Sequence, residues 1–395
     1  MKAGWQTKTL GEILERTETF DPTRTPTAEF EYIDVSSVSN QTLTIQDTQS
    51  LIGKNAPSRA RRLVKANDVL FATIRPTLRR IAIVPETLDR QICSTGYFVL
   101  RAKPEADHRY LFYFLQTAGF MTAMEKLQKG ASYPAVTDSD VRSQPIPVPP
   151  LPDQHRIVAI LDEAFAGIAT ARANAEQNLR NARALFESQL QAVFSQRGEG
   201  WVEKRLSDVS EDFGRGKSKH RPRNDPKLYG GEYPFIQTGD VRNCEHVITT
   251  YSQTYNETGL AQSKLWPRGT LCITIAANIA ETGILDFDAC FPDSVIGVIA
   301  NKSITTTKYL EYLLHSFKAH LQAQGKGSAQ DNINLGTFEN QYFPFADLEK
   351  QNEIISTLDG IRKETQHLES LCQRKLAALD ELKQSLLHRA FSGNL

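Results

Sequence analysis

Two stretches gather positive charge in a chain that has none in excess: lysine plus arginine and aspartate plus glutamate number 46 each. In the first, Lys54, Arg59, Arg61, Arg62 and Lys65 precede the apolar run VLFATI (Val69–Ile74), and RPTLRR adds Arg75, Arg79 and Arg80 after it. In the second, GRGKSKHRPR holds Arg215, Lys217, Lys219, His220, Arg221 and Arg223. Cations gathered in this way neutralise phosphate. The planar guanidinium fork also matches the acceptor edge of guanine. A solvated basic loop is the plain alternative for either stretch alone. One cluster in each half of a neutral chain favours a nucleic-acid footprint.

A second pair of stretches follows the same division. KGASYPAV (Lys129–Val136) carries Lys129, Ser132 and Tyr133, and KGSAQDNIN carries Lys326, Ser328, Gln330, Asn332 and Asn334. Lysine followed by glycine lets backbone approach an anion closely, and Gln and Asn side chains pair with the adenine edge. A shared opening with different polar residues after it is what two readers of different sequences require. A simple turn is the alternative. Asn278, after the apolar run TLCITIA, is a further candidate of the same kind.

Catalytic patterns are missing. There is no N-P-P-Y or D-P-P-Y methyltransferase motif, no H-E-x-x-H and no G-x-S-x-G elbow, and no Pro-Asp is followed by a convincing nuclease carboxylate–lysine set. GRGKS imitates a phosphate loop, but the pattern needs glycine at the position held by Glu211. These residues point to binding rather than catalysis.

The elements that must position them are written twice. GWQTKTLGEI matches GWVEKRLSDV, YIDVSSVSN matches FIQTGDVRN, YLFYFL matches YLEYLL, and LPDQHRIVAILD (Leu151–Asp162) matches LEKQNEIISTLD (Leu348–Asp359). Gln154/Gln351, Ile157/Ile354, Leu161/Leu358 and Asp162/Asp359 are all 197 positions apart. This is domain duplication, not a short-period solenoid. Residues 1–147 and 198–345 mix short β-rich runs with helical patterns and read as α/β domains with a mixed sheet: VLFATI, RIAIV, TGYFVLRA, TLCITIA and SVIGVIA are strands, and Tyr110–Leu127 and Thr307–Ala323 have helical spacing. Residues 148–197 and 346–395 are long helices. PIPVPPLPD (Pro145–Asp153) forms an extended entrance to the first.

Apolar residues step by four and three along Ile157, Leu161, Ala164, Ile168, Ala171 and Ala175, continuing to Ala182, Leu185 and Val193. The second copy keeps this phase through Ile354, Leu358, Ile361, Thr365, Leu368, Cys372, Leu379, Leu382, Leu386 and Ala390. A 3.5-residue step is a coiled-coil seam, with polar breaks at Asn178 and Lys375. Packing of each helix on its own domain is one reading. The favoured one pairs the two helices antiparallel within one chain, relating the halves by a pseudo-twofold axis and separating the two α/β domains.

The remaining composition is that of a globular protein, 40% hydrophobic and 23% charged over 395 residues. Five widely spaced cysteines form no metal or disulfide pattern and fit reduced thiols in a cytoplasm. The first ten residues lack a signal-peptide core, and no apolar run is long enough to cross a membrane.

The chain resembles the specificity subunits of type I restriction-modification enzymes, the HsdS family. The resemblance rests on the duplicated domain-plus-helix plan, W-x-x-x-x-L at Trp5–Leu10 and Trp201–Leu206, the entrance P-x-P-P-L-x-x-Q-x-x-I-x-x-x-L-D at Pro147–Asp162, and the ending LKQSLLHRAFSGNL. It covers the whole chain. In the second copy the entrance FPFADLEKQNEI lacks the proline pair. The resemblance implies a non-catalytic subunit with two target recognition domains, one per half of a split, asymmetric double-stranded DNA site. It implies two methyltransferase subunits as partners, and translocase-nuclease subunits in the full complex. It places no cofactor in this chain: S-adenosylmethionine, ATP and Mg2+ belong to the partners. A specificity subunit for a methyltransferase lacking a translocase, and a coiled-coil scaffold that binds no DNA, are the alternatives.

Overall fold

The computed structural model describes residues 4–276, 279–325 and 335–395. It divides into two compact units, Met1–Glu176 with Gln373–Leu395, and Gln177–Cys372. Each unit holds an α/β domain, the opening part of one long helix and the closing part of the other.

In the first unit Gln6–Thr9 pairs antiparallel with Pro145–Val148, so the domain closes where its chain enters and leaves. A three-stranded antiparallel sheet follows the order Ile81–Ile83, Val69–Ala72, Tyr97–Leu100. Alternate residues of a strand face opposite sides. Val69 and Phe71 therefore join the core under the helices, while Leu70 and Ala72 join a second cluster with Val38, Val64 and Tyr97. Burial on both faces explains why VLFA is continuously apolar rather than alternating. A four-stranded mixed sheet runs Gln49–Ile52, Glu29–Ile33, Ile92–Ser94, Ala60–Leu63. The expected helix over Tyr110–Leu127 is two helices, His108–Phe114 and Ala118–Leu127, with the hydroxyl of Thr117 capping the second.

The second unit repeats the plan. Val202–Lys204 pairs with Phe343–Phe345, so losing the proline pair does not change how the entrance is held. Its five-stranded sheet runs Ser210–Arg215, Val295–Ala300, Leu271–Thr274, Thr282–Leu285, Val247–Ile248. Tyr229–Phe235 pairs with Gln253–Tyr255, and Thr307–Gly325 is helical.

The long helices are Leu151–Ser195 and Leu348–Ser392. The repeated glutamine at each start is fully buried and ties the helix to its own domain. Gln154 accepts from the amide of Asp107 (2.8 Å) and donates to the carbonyls of Glu105 (3.0 Å) and Pro149 (2.9 Å). Gln351 accepts from the Thr305 hydroxyl (2.9 Å) and donates to Ile304 (2.9 Å) and Ala346 (2.8 Å). The repeated aspartate also ties the helix to its domain, about two turns further along. Asp162 accepts from Tyr113 and Arg109, and Asp359 from Tyr312 and Lys308. Burial pulls the Asp359 carboxyl upward, but the Lys308 and Tyr312 bonds outweigh it and hold it below its usual range.

The helices also pair antiparallel within each unit. In the first, Arg172 bonds Asp380 and Lys383 lies over Phe165. In the second, Arg183 bonds Glu369 and Arg362 lies over Phe186. Packing on the domain and pairing thus coexist. Each domain core takes Ile157 and Leu161, or Ile354 and Leu358, from its following helix. It takes Leu387 and Ala390, or Leu190 and Phe194, from the end of the other.

The seam departs from the expected phase. Leu185, Leu368 and Leu382 are exposed, as are Asn178 and Lys375, while Phe186 and Leu190 are buried and Leu376 and Lys383 half-buried. An α-helix drifts about 20° per heptad against a 3.5-residue repeat. The buried stripe therefore moves on by one residue about halfway along each helix. The polar breaks Asn178 and Lys375 are solvent-facing and lie off the buried stripe.

Candidate nucleic-acid interface

The first domain brings its arginines together at the end of strand Val69–Ala72. Arg75 and Arg79 flank the turn Pro76–Leu78, both in the left-handed backbone region with φ of 50° and 55°. Non-glycine residues adopt that conformation rarely and at a cost. The KGASYPAV loop is seated against this turn. The Arg75 amide donates to the Pro134 carbonyl (2.6 Å), its guanidinium donates to the Ser132 carbonyl (3.3 Å), and it lies 4.9 Å from the Tyr133 ring centroid. Tyr133 is 72% exposed. Asp34, Val35, Arg59, Arg75, Leu78, Arg80 and Tyr133 line an open cleft of about 420 Å³. Arg80 donates to the Val35 carbonyl, which fixes the loop carrying Asp34. Burial raises the Asp34 carboxyl, but hydrogen bonds from the Val35 amide, Ser36 and Tyr32 outweigh it and hold it below its usual range.

Not every expected residue faces this cleft. Ala60–Leu63 is a strand, not a basic loop, and its arginines are held internally. Arg62 pairs with Asp138 (2.9 Å), and Arg61 donates to the Ala60 carbonyl (2.8 Å) and approaches Asp21 (3.5 Å). Lys129 closes the turn through two backbone bonds with Ala135, each 2.9 Å. Gly130, at φ 103°, is required by that turn rather than by an approaching anion.

In the second domain, Arg215 ends strand Ser210–Arg215 and the GRGKS segment is no phosphate cradle. A Cβ on Gly216 would lie 2.1 Å from the Phe291 carbonyl oxygen, so this glycine allows close backbone packing. Arg221 donates to the carbonyls of Ser218 (2.6 Å) and His220 (2.8 Å). Arg223 forms a two-pronged pair with Asp293, both contacts 2.8 Å. Arg215, Lys217 and Lys219 are exposed, and their side chains pair with no other described residue. Asn278, Lys326, Ser328, Gln330, Asn332 and Asn334 lie outside the described residues.

A cleft of about 420 Å³ opens here too, lined by Arg223, Asn224, Gln237, Thr238, Gln253 and Ser294 among others. Gln237 donates to Gln253 (2.7 Å). Gln237 and Thr238 stand in FIQTGDVRN where Asp34 and Val35 stand in YIDVSSVSN, so the two clefts occupy matching places in the duplicated domain. Asp34, Asn224, Gln237 and Gln253 were not singled out from sequence. For Asp34 and Gln237 the signal was present in those matched segments, where aspartate aligns with glutamine within a shared frame; Asn224 and Gln253 lie outside them.

Among the described residues no group of His, Cys, Asp or Glu can hold a metal ion, and no helix is long and apolar enough to cross a membrane.

A family model described as the type I restriction modification DNA specificity domain matches residues 2–178 and again 198–375. The chain belongs to this family. It is a specificity subunit of a type I restriction-modification system, non-catalytic and with two recognition domains.

A solved structure described as the basis of complex assembly and conformational transition of the type I R-M system is 30% identical. It aligns over 100% of this chain and 99% of its own, with a TM-score of 0.90. The HsdS subunit from Thermoanaerobacter tengcongensis is 29% identical over 100% of this chain and 98% of its own, with a TM-score of 0.69. The Type I restriction enzyme EcoBI specificity subunit of Escherichia coli is 20% identical over 336 residues, 79% of this chain and 70% of that one. The EcoDI specificity subunit of the same organism is 29% identical over 132 residues, a match that spans 28% of that subunit.

Proposed function

We propose that this specificity subunit reads a bipartite, asymmetric double-stranded DNA site, each domain taking one half through its cleft. One observation carries the reading: the two clefts stand at matching places but present different chemistry. The first offers a carboxylate and several guanidinium groups (Asp34, Arg59, Arg75, Arg80), and the second offers amides (Asn224, Gln237, Gln253). Carboxylates accept from cytosine, guanidinium forks pair with guanine, and amides pair with adenine. Arg215, Lys217, Lys219 and Arg79, exposed beside these clefts, would hold phosphates and fix register.

The same reading assigns two methyltransferase subunits to the chain, with translocase-nuclease subunits joining them in the full cytoplasmic complex. S-adenosylmethionine, ATP and Mg2+ would be used by those partners. Two docking places of one kind are supported by Leu185 and Leu382. They occupy equivalent positions of the repeat and are exposed to 46% and 48%.

The test is binding-site selection with salt titration. Lys219→Ala should weaken binding to all sequences alike and lower the salt slope by about one. Gln237→Ala should relax one base position in one half-site by roughly 1–3 kcal/mol. Equal weakening on all sequences by Gln237→Ala, with an unchanged salt slope in Lys219→Ala, would overturn the division.

A further inference from the structure

The contacts between the long helices follow a pattern that the duplication alone does not produce. Phe165 and Arg362 are equivalent positions of the repeat, as are Arg172 and Glu369, Arg183 and Asp380, and Phe186 and Lys383. A strictly symmetric duplication would place the same residue types at both members of each pair. Here every equivalent pair has diverged, and in a concerted way. In the first unit the ring comes from the first helix and the cation from the second: Lys383 Nζ lies 5.0 Å from the Phe165 centroid. In the second unit the ring again comes from the first helix and the cation from the second, although these are now the helix end and the helix start: Arg362 Cζ lies 5.6 Å from the Phe186 centroid. The ion pairs obey the same rule. Arg172 and Arg183 both belong to the first helix. Their partners Asp380 and Glu369 both belong to the second, the latter at 2.9 Å from Arg183.

We propose that these four contacts form a pairing code, in which each long helix is complementary to the other and repels a second copy of itself. The first helix carries only rings and arginines at these sites, and the second only cations and carboxylates. An antiparallel pair of two first helices would set Arg172 against Arg183 and would put Phe165 against Phe186 with no cation over either ring, so there the repulsion rests on the arginines. A pair of two second helices would set Glu369 against Asp380 and Arg362 against Lys383. Opposite charges at helical contacts stabilise and like charges destabilise by similar amounts, so the discrimination is about twice what either term supplies. A chain built from two similar halves faces this hazard in particular: its helices share an apolar pattern, so apolar packing cannot tell the correct partner from a like one. The polar contacts supply the difference, as flanking charges do in coiled coils.

Charge exchange in the full-length chain tests the code. Arg172→Asp with Arg183→Glu makes both helices acidic at the contacts, and Glu369→Arg with Asp380→Arg makes both basic. Each double variant should melt lower than the parent, by about 2–4 °C. The quadruple variant, in which the charges are exchanged between helices, should recover most of that loss, the remainder being the pair of Arg172 with Glu176 of its own helix (3.6 Å) that the exchange removes. The losses should shrink in 1 M salt, where the Debye length falls to about 3 Å. Unchanged midpoints in both double variants would overturn the proposal. So would a quadruple variant that melts no higher than the doubles, which would mean that these particular residues, rather than their complementarity, are required. A double variant that fails to fold leaves the quadruple variant as the deciding measurement.

Discussion

At the residue scale, the duplicated Gln and Asp are the clearest case of sequence identity explained by geometry. Each glutamine is fully buried and donates its amide to two backbone carbonyls, while its oxygen accepts from the Asp107 amide in the first copy and the Thr305 hydroxyl in the second. Gln351→Leu keeps the volume but strips Ile304 and Ala346 of a donor and Thr305 of an acceptor. Urea denaturation should show a loss of about 1–3 kcal/mol. Asp359 sits below its usual 3.8, because its bonds from Lys308 and Tyr312 outweigh burial. A carboxylate depressed in the folded state adds stability above its unfolded value and loses it as pH falls through the folded one. The stability difference between the parent and Asp359→Asn should therefore be constant from neutrality to about pH 5 and should shrink below about pH 4. A difference that grows on acidification would contradict this assignment.

At the element scale, the long helices show which part of a heptad argument survives contact with a real helix. Their existence, their starts and their pairing follow from periodicity and from the repeated entrance. Their later seam positions do not, because a steady 3.5-residue step and a 3.6-residue helix part company within a few turns. Leu382 and Leu387 separate the two accounts. Leu387 is fully buried in the first domain's core, whereas Leu382 is 48% exposed. Leu387→Asp should cost about 3–5 kcal/mol, since an unpaired charge replaces a buried leucine. Leu382→Asp should stay within about 1 kcal/mol. Chemical denaturation of the two variants side by side measures the contrast.

At the scale of the whole molecule, each compact unit contains one recognition domain held by both long helices, one at its start and the other at its end. A domain secured to one helix start by matching bonds and to the other helix end by matching apolar packing is a replaceable module. Exchanging residues 198–345 for the corresponding region of a relative should alter one half-site of the selected DNA and leave the other unchanged. Sequencing the DNA bound by the chimera checks this, and a change in both halves would count against independent reading.

Sequence by itself determined the duplication, the α/β content of each half and the two long helices, because these rest on patterns local in the chain: apolar period, turn residues and repeated motifs. The family was legible only through the resemblance that the helix entrances and chain ending carry. Sequence also placed Arg75, Arg80 and Tyr133 among the candidates, although not their meeting in one cleft. Only the tertiary structure decided which charged residues remain available. Arg62 and Arg223 look like Arg75 in sequence but are committed to Asp138 and Asp293, partners 76 and 70 positions away. Only it brought Gln237 beside Gln253 and opened a cleft at Asp34, since the matched segments align these positions without saying what they face. A charge is legible in one dimension, whereas its partner is chosen by how distant strands and loops come together.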